Sequence, residues 1–151
     1  MIEIFNVEKF DPLKKVHDSI VSSFELHDNM FIMTFDRVGL ESETCEIINI
    51  EKKLRATYIF NEAFKEWDSL NCSVRNIDYR KNIKKNIIKY FTLEEMIEKL
   101  NRHNKTLSLQ AQYYRKGYCL ICAEGYSNGT SEAGNNYYIQ LMVDRIIYEW
   151  S

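Results

Sequence analysis

Proline occurs once in this chain, at Pro12, and glycine only five times in 151 residues. So little of either excludes a Pro- or Gly-rich linker. It leaves one domain over residues 1–151, long enough to bury a real core and too short for two ordinary domains. No run of about 18 consecutive apolar residues is present, so nothing reads as a membrane-spanning helix. The opening MIEIFNVEKFD carries Glu3 and Glu8 where a secretory leader has a basic start and an apolar centre, which predicts a cytoplasmic protein. Neither sign of charge dominates: 20 Lys and Arg face 22 Asp and Glu, for a net charge of -2 and a pI near 6.0. With 45% hydrophobic and 28% charged residues, the composition is that of a soluble globular chain rather than a disordered one.

Signatures of catalysis and metal binding are equally scarce. The four cysteines, at 45, 72, 119 and 122, are expected to stay reduced in a chain without a secretory leader. Cys119 and Cys122 form the one close pair, and they lie in GYCLICAEGY, which reads as a strand. On a strand, positions i and i+3 point to opposite faces, so these two thiolates do not share a zinc ion. Cys45 and Cys72 are isolated and supply no second ligand pair. The close pair therefore reads as buried small hydrophobes. The segment SNGTSEAGNN (127–136) reads as a loop with two glycines, but it lacks the Gly-Lys-Ser/Thr ending that holds phosphates. No catalytic residue, metal ligand or cofactor is assigned.

The dipeptide His-Asp does occur twice in VHDSIVSSFELHDNMFIMTFD (16–36), at His17-Asp18 and His27-Asp28. Strand periodicity explains it. If Asp28-Asn29 is a two-residue turn, Leu26 falls opposite Phe31, Phe24 opposite Met33 and Ser22 opposite Phe35, and the apolar residues meet on one side. Asn tolerates the left-handed backbone that such a turn requires. An unbroken strand rising about 3.3 Å per residue holds the two histidines about 33 Å apart, so they form no common site. Asp18 and Asp28 read as turn or strand-end residues.

Further along, TCEIINIEKKLRATYIF (44–60) supplies one long or two short strands, NEAFKEWDSL (61–70) a short helical turn, and CSVRNIDY (72–79) a weak strand. FTLEEMIEKLNRHN carries the clearest element, a helix over about 92–103. Thr92 is its N-cap with Glu95 three residues on, Leu93, Met96, Ile97 and Leu100 form one stripe, and Arg102 and His103 close the last turn. TLSLQAQYY (106–114) alternates, with Leu107, Leu109, Ala111 and Tyr113 inward and Ser108, Gln110 and Gln112 outward. Lys116-Gly117 turns the chain into the cysteine strand. In YYIQLMVDRIIYEW the apolar parity shifts near Asp144-Arg145, which implies a bulge or bend.

The strongest charge feature is RNIDYRKNIKKNIIKY (75–90), where Arg75, Arg80, Lys81, Lys84, Lys85 and Lys89 stand against Asp78 alone. Cations so spaced track phosphates, and Tyr79 and Tyr90 would stack on bases, which makes nucleic acid an alternative partner. Against it, the whole chain is net acidic, no nucleic-acid motif is present, and Ile83, Ile87 and Ile88 call for burial. The segment reads more simply as the solvated side of an amphipathic element. Aromatics make up 13% of the chain, a supply that also suits protein interfaces. Tyr113-Tyr114 and Tyr137-Tyr138 each place one tyrosine on either face of a strand.

The opener His17-Asp18-Ser19 ahead of a hairpin, and the ending Val143-Asp144-Arg145-Ile146-Ile147-Tyr148-Glu149-Trp150, resemble small bacterial α+β proteins of the immunity-protein kind found beside polymorphic toxins. The resemblance implies a single-domain protein that binds and neutralises a partner toxin without catalysis, and it carries over no site residue. The chain departs from that pattern in charge, since immunity proteins against nucleases are often strongly acidic. Together these features predict an α+β domain, mainly an antiparallel sheet of about six to eight strands with one principal helix at about 92–103, acting as a non-catalytic protein-binding module. Two alternatives stand beside it: nucleic-acid binding through 75–89, and an enzyme on a small polar substrate whose residues converge only in three dimensions.

Overall fold

The computed structural model describes residues 2–5, 19–41, 47–50, 53–61, 72–80, 87–115 and 117–151. Within them the chain forms strands β1 (Ile2–Phe5), β2 (Ser19–His27), β3 (Met30–Glu41), β4 (Ile47–Ile50), β5 (Leu54–Phe60), β6 (Cys72–Asp78) and β7 (Ile87–Thr92). Helix α1 (Leu93–Arg102) follows, and then β8 (Thr106–Arg115), β9 (Tyr118–Ser127), β10 (Thr130–Leu141) and β11 (Val143–Trp150). The architecture is α+β with antiparallel pairing, but its eleven described strands exceed the expected six to eight. The excess comes from β1, from β7, and from the division of residues 137–150 between β10 and β11.

The strand order β1-β11-β5-β3-β2-β8-β9-β10-β6-β7, with β4 beside β3, dictates the shape. β10 and β11 are joined by Met142 alone, yet five strands separate them in that order. A flat sheet would hold them about 29 Å apart at a spacing of about 4.8 Å per strand, far beyond the reach of one residue. The sheet must therefore curl back on itself. The backbone hydrogen bond from Asn61 N to Met142 O, at 3.1 Å, lies at this corner. Among the described residues, β2 and β8 pair through Ser19↔Leu109 and Ile20↔Ser108 alone, and the sheet divides at this short ladder. Two leaves result, β1-β11-β5-β3-β2 and β8-β9-β10-β6-β7, with their apolar faces turned towards each other.

The expected hairpin is β2 and β3. Leu26↔Phe31 and Phe24↔Met33 are paired as the alternation requires, and Asp28-Asn29 is the turn, but Asn29 does not take the left-handed backbone expected of it, since neither turn residue has a positive φ. Ser22 does not oppose Phe35, however. The register shifts between Val21 and Ser23, so Val21 takes that place and is fully buried, while Ser22 Oγ donates to Thr34 O at 3.0 Å. A bulge of this kind swaps a serine for a valine on the core face.

A second bulge corrects the reading of β8. Between Leu109 and Ala111 the register against β9 shifts, and parity inverts beyond it. Gln112 is consequently buried at 1% exposure and Tyr113 is exposed at 58%, the reverse of the simple alternation. The inward Gln112 is satisfied across the interior: Tyr58 Oη donates to its Oε1 at 2.6 Å, and its Nε2 donates to Tyr148 Oη at 3.0 Å. This buried trio ties β8 of one leaf to β5 and β11 of the other. A polar group in the core is tolerated because it is bonded.

SNGTSEAGNN is not a loop. Asn128 and Gly129, at φ 52° and 79°, form a two-residue hairpin turn, and β10 begins at Thr130. Both positions are left-handed, the conformation that Asn-Gly adopts most readily. The parity change near Asp144-Arg145 is a shift between Val143 and Arg145 in the pairing of β11 with β5.

α1 forms for the reasons legible in its residues. Thr92 caps it, accepting from Glu95 N at 3.1 Å, and Leu93, Met96 and Leu100 are buried with Ile97 packed beside them. Its stripe packs on β6, β7 and β2 and joins the same core as Val21, Phe31, Leu107 and Ile139. No helix of the described residues is long and apolar enough to cross a membrane.

Candidate functional site

Strand registry arranges the outer face of the β8-β9-β10-β6-β7 leaf in rows. One row runs Ala111, Cys122, Tyr138, Arg75, Tyr90, and the next runs Tyr113, Leu120, Gln140, Ser73, Thr92. A third joins Glu124 and Asn136 to Ile77 and Ile88. Aromatic and aliphatic side chains hold seven of these fourteen positions, and all of the seven except the buried Ile77 are at least partly open to solvent. Tyr90 is 73% exposed, Tyr113 58% and Ile88 47%, while Tyr138, Leu120 and Cys122 are half-buried. The Arg75 guanidinium stands 5.0 Å from the centre of the Tyr138 ring, a cation–π contact in the middle of the face.

The tyrosine pairs supply this surface as strand geometry demands. Tyr137 points inward at 3% exposure and Tyr138 outward, while Tyr114 packs against the core and Tyr113 reaches solvent. Burial raises the pKa of Tyr137, and a hydrogen bond with Asn135 works against that rise. Burial likewise raises the Cys122 thiol, with Arg75 opposing it, so this thiol is a weaker nucleophile than a free cysteine.

A polar cluster sits at the end of the same leaf, where the β9–β10 register shifts between Glu132 and Asn136. Arg80 makes a fork with Asp78, at 3.0 Å from Nε and 2.9 Å from Nη2, and its Nη1 pairs with Glu132. Lys105 Nζ lies 3.1 Å from Glu132 Oε1. That oxygen is fully out of water and receives no well-aligned hydrogen bond, so charge attraction to Lys105 holds it. Burial by itself would raise the Glu132 carboxyl, but the hydrogen bonds and charges of Lys105 and Arg80 outweigh it and bring the pKa below its ordinary value. Arg80 is stabilised as a cation, chiefly by its hydrogen bond to Asp78. Beneath this network Asn76 Nδ2 donates to Asn135 Oδ1 at 2.8 Å and to Asn136 O at 3.0 Å, and Tyr79 N donates to Gly134 O at 2.8 Å.

The two cations and two carboxylates cancel, and Arg80 spends its donors on them. The cluster thus pins the bulge rather than presenting an unengaged acid, base or nucleophile. Among the described residues, no group of three or more His, Cys, Asp or Glu side chains is placed to hold a metal ion.

The residues singled out in the sequence are dispersed. His27 is exposed with Nε2 3.4 Å from Glu25 Oε2, and His103 is an exposed helix C-cap. Cys119 is buried and Cys122 half-buried, on opposite faces of β9. Only Cys119 of that pair is the buried hydrophobe expected, because the outward row leaves Cys122 partly open to solvent. His17, Asp18, Cys45, Ile83, Lys81, Lys84, Lys85 and the helical turn read into 61–70 lie outside the described residues, apart from Asn61. The basic segment is not one amphipathic element, since β6 ends at Asp78 and β7 begins at Ile87. Ile88 lies on the open outer face rather than in the core. Arg80 is neutralised by Asp78 and by Glu132, 52 residues away along the chain, a partner invisible in local sequence. Comparison with known proteins finds no matching family, no matching curated protein and no matching solved structure.

Proposed function

We propose that this protein is a non-catalytic, cytoplasmic protein-binding module that engages its partner with the outer face of the β8-β9-β10-β6-β7 leaf. The observation that carries the reading is the Tyr113, Leu120, Tyr138, Arg75, Tyr90 surface, where aromatic groups and an arginine stand outward on five registered strands. Tyrosine and arginine anchor protein interfaces because they bury much area with little conformational freedom to lose, and they keep a polar end for hydrogen bonding. A rigid sheet pre-positions them, which lowers the entropic cost of association. Neutralisation of a partner toxin is the form of binding that the immunity-protein resemblance implies, and it is part of the proposal.

Nucleic-acid binding is less well supported, because Arg80 and Lys105 are spent on Asp78 and Glu132. Arg75 is the one cation of the central row. The test is affinity capture from native lysate with wild-type protein and with a Tyr113→Ser, Leu120→Ser double variant, alongside titration of labelled DNA and RNA. The proposal expects a stoichiometric protein partner that the double variant loses. Saturable nucleic-acid binding that weakens steeply with salt, without a protein partner, would overturn it.

A further inference from the structure

β7 stands at the end of the strand order and, among the described residues, pairs only with β6. Its sequence IIKYFT is rich in β-branched and aromatic residues and contains no proline. Such an edge presents a row of backbone N–H and C=O groups that accept another strand. The two faces of this edge differ. Ile88 and Tyr90 project on the outer face, at 47% and 73% exposure. Lys89 pairs with the inward Asn76 and so lies on the helix side, next to Phe91, whose ring carries Lys99 Nζ at 4.6 Å from its centre. Burial lowers the pKa of Lys99, and the charges of Lys89 and Lys105 lower it further, with Asp78 and Glu132 acting in the opposite direction. Glu132 neutralises Lys105 at 3.1 Å, while no acid of the described residues forms an ion pair with Lys89 or Lys99.

Three occupants compete for the edge. A nucleic acid would satisfy the lysines but leaves the backbone groups unpaired. A second copy, paired antiparallel about Tyr90, brings Lys89 opposite the partner's Phe91 and therefore against Lys99, so like charges meet. An extended acidic segment satisfies both the backbone and the lysines. Resting on the protein-binding reading and specifying the partner's chemistry, we infer that β7 accepts an extended segment of the partner as an additional strand. Its alternate residues are acidic towards Lys89 and Lys99 and apolar or aromatic towards Ile88 and Tyr90. The period of two in a strand makes that alternation the recognition code.

The probe is a labelled, end-capped peptide alternating Glu with Val and Tyr, titrated by fluorescence anisotropy. Binding is expected to fall about tenfold or more when Lys replaces Glu in the peptide, or when Lys89→Glu is introduced in the protein. N-methylation of the peptide amides that face the edge is expected to abolish it. Hydrogen exchange on the wild-type complex is expected to slow at β7 amides, which holds whether or not a variant folds well. Arg55→Ser, on β5 of the other leaf, is expected to leave the peptide titration unchanged. Failure of the peptide while Tyr113 and Leu120 still govern partner capture would sink the edge inference alone. Three results overturn the inference: no peptide binding at millimolar concentration, binding indifferent to N-methylation, or competition by a single-stranded oligonucleotide. A monomer–dimer equilibrium lost in Lys89→Glu overturns it as well.

Discussion

Gly125→Ala sets two effects of opposite sign against each other. Gly125 lies within β9 and is not among the positive-φ glycines, so alanine fits its backbone. Replacing a strand glycine at a permitted φ stabilises by about 0.5–1 kcal/mol, through the entropy of the unfolded chain. Here, however, the new Cβ would stand 2.7 Å from Asn135 Nδ2 and 3.2 Å from Glu132 Oε1. Asn135 is only 5% exposed and its amide oxygen already accepts from Asn76, so it has no easy way to swing aside. Displacing it breaks one or two buried hydrogen bonds at about 1–3 kcal/mol each, which outweighs the entropic gain. The net expectation is a destabilisation of about 2 kcal/mol. Urea unfolding reads this as a midpoint lowered by about 1 M at unchanged slope. Asn135→Ala should cost less in the Gly125→Ala background than in wild type, because the clash is then gone. A neutral or stabilising Gly125→Ala would show that the bulge cluster is not pinned as described.

Leu100→Ala should cost about 2–5 kcal/mol in the same assay, since Leu100 is 1% exposed in the main core; a loss below about half a kcal/mol would place the helix stripe wrongly. Glu132 contributes stability that is present above the unfolded carboxylate pKa, near 4.3, and is lost as pH falls through its depressed folded value. Unfolding followed from pH 7 downward should therefore show an acid limb that Glu132→Gln flattens, and an unchanged limb would contradict the assigned ion pairs. Cys122 should be alkylated in the folded protein more slowly than a free thiol at neutral pH, and Cys119, fully buried, slower still. Mass-mapped labelling at timed intervals measures both rates, and equal labelling would invert the assignment of faces.

Local chemistry made much of this fold legible. The Thr92 cap, the Leu93-Met96-Leu100 stripe and the Asp28-Asn29 turn each rest on interactions within a few residues, and each is where its sequence places it. Bulges were not legible in the same way. A single extra residue near Ser22 or Gln110 inverts the parity of everything beyond it, and only the partner strand reveals it. Asn128-Gly129 was legible as a hairpin turn, but its setting among Ser, Thr and Gly made a loop the easier reading. Long-range pairing was hidden altogether: Arg80 meets Glu132, and Gln112 meets Tyr58 and Tyr148, across separations that no periodicity encodes. The candidate face was foreseen in part, because adjacent tyrosines on a strand must take opposite sides, while its five-strand extent depended on registry.

The most direct test of the central claim is site-specific photo-crosslinking in native cells. A benzoyl-phenylalanine at position 113, on the exposed aromatic face, is compared with one at position 55, on the outer face of the other leaf, where Arg55 lies 3.8 Å from Glu25. A discrete protein adduct at 113, absent at 55, is the result the account predicts. Adducts that vanish with nuclease rather than protease, or equal crosslinking at both positions, would contradict it.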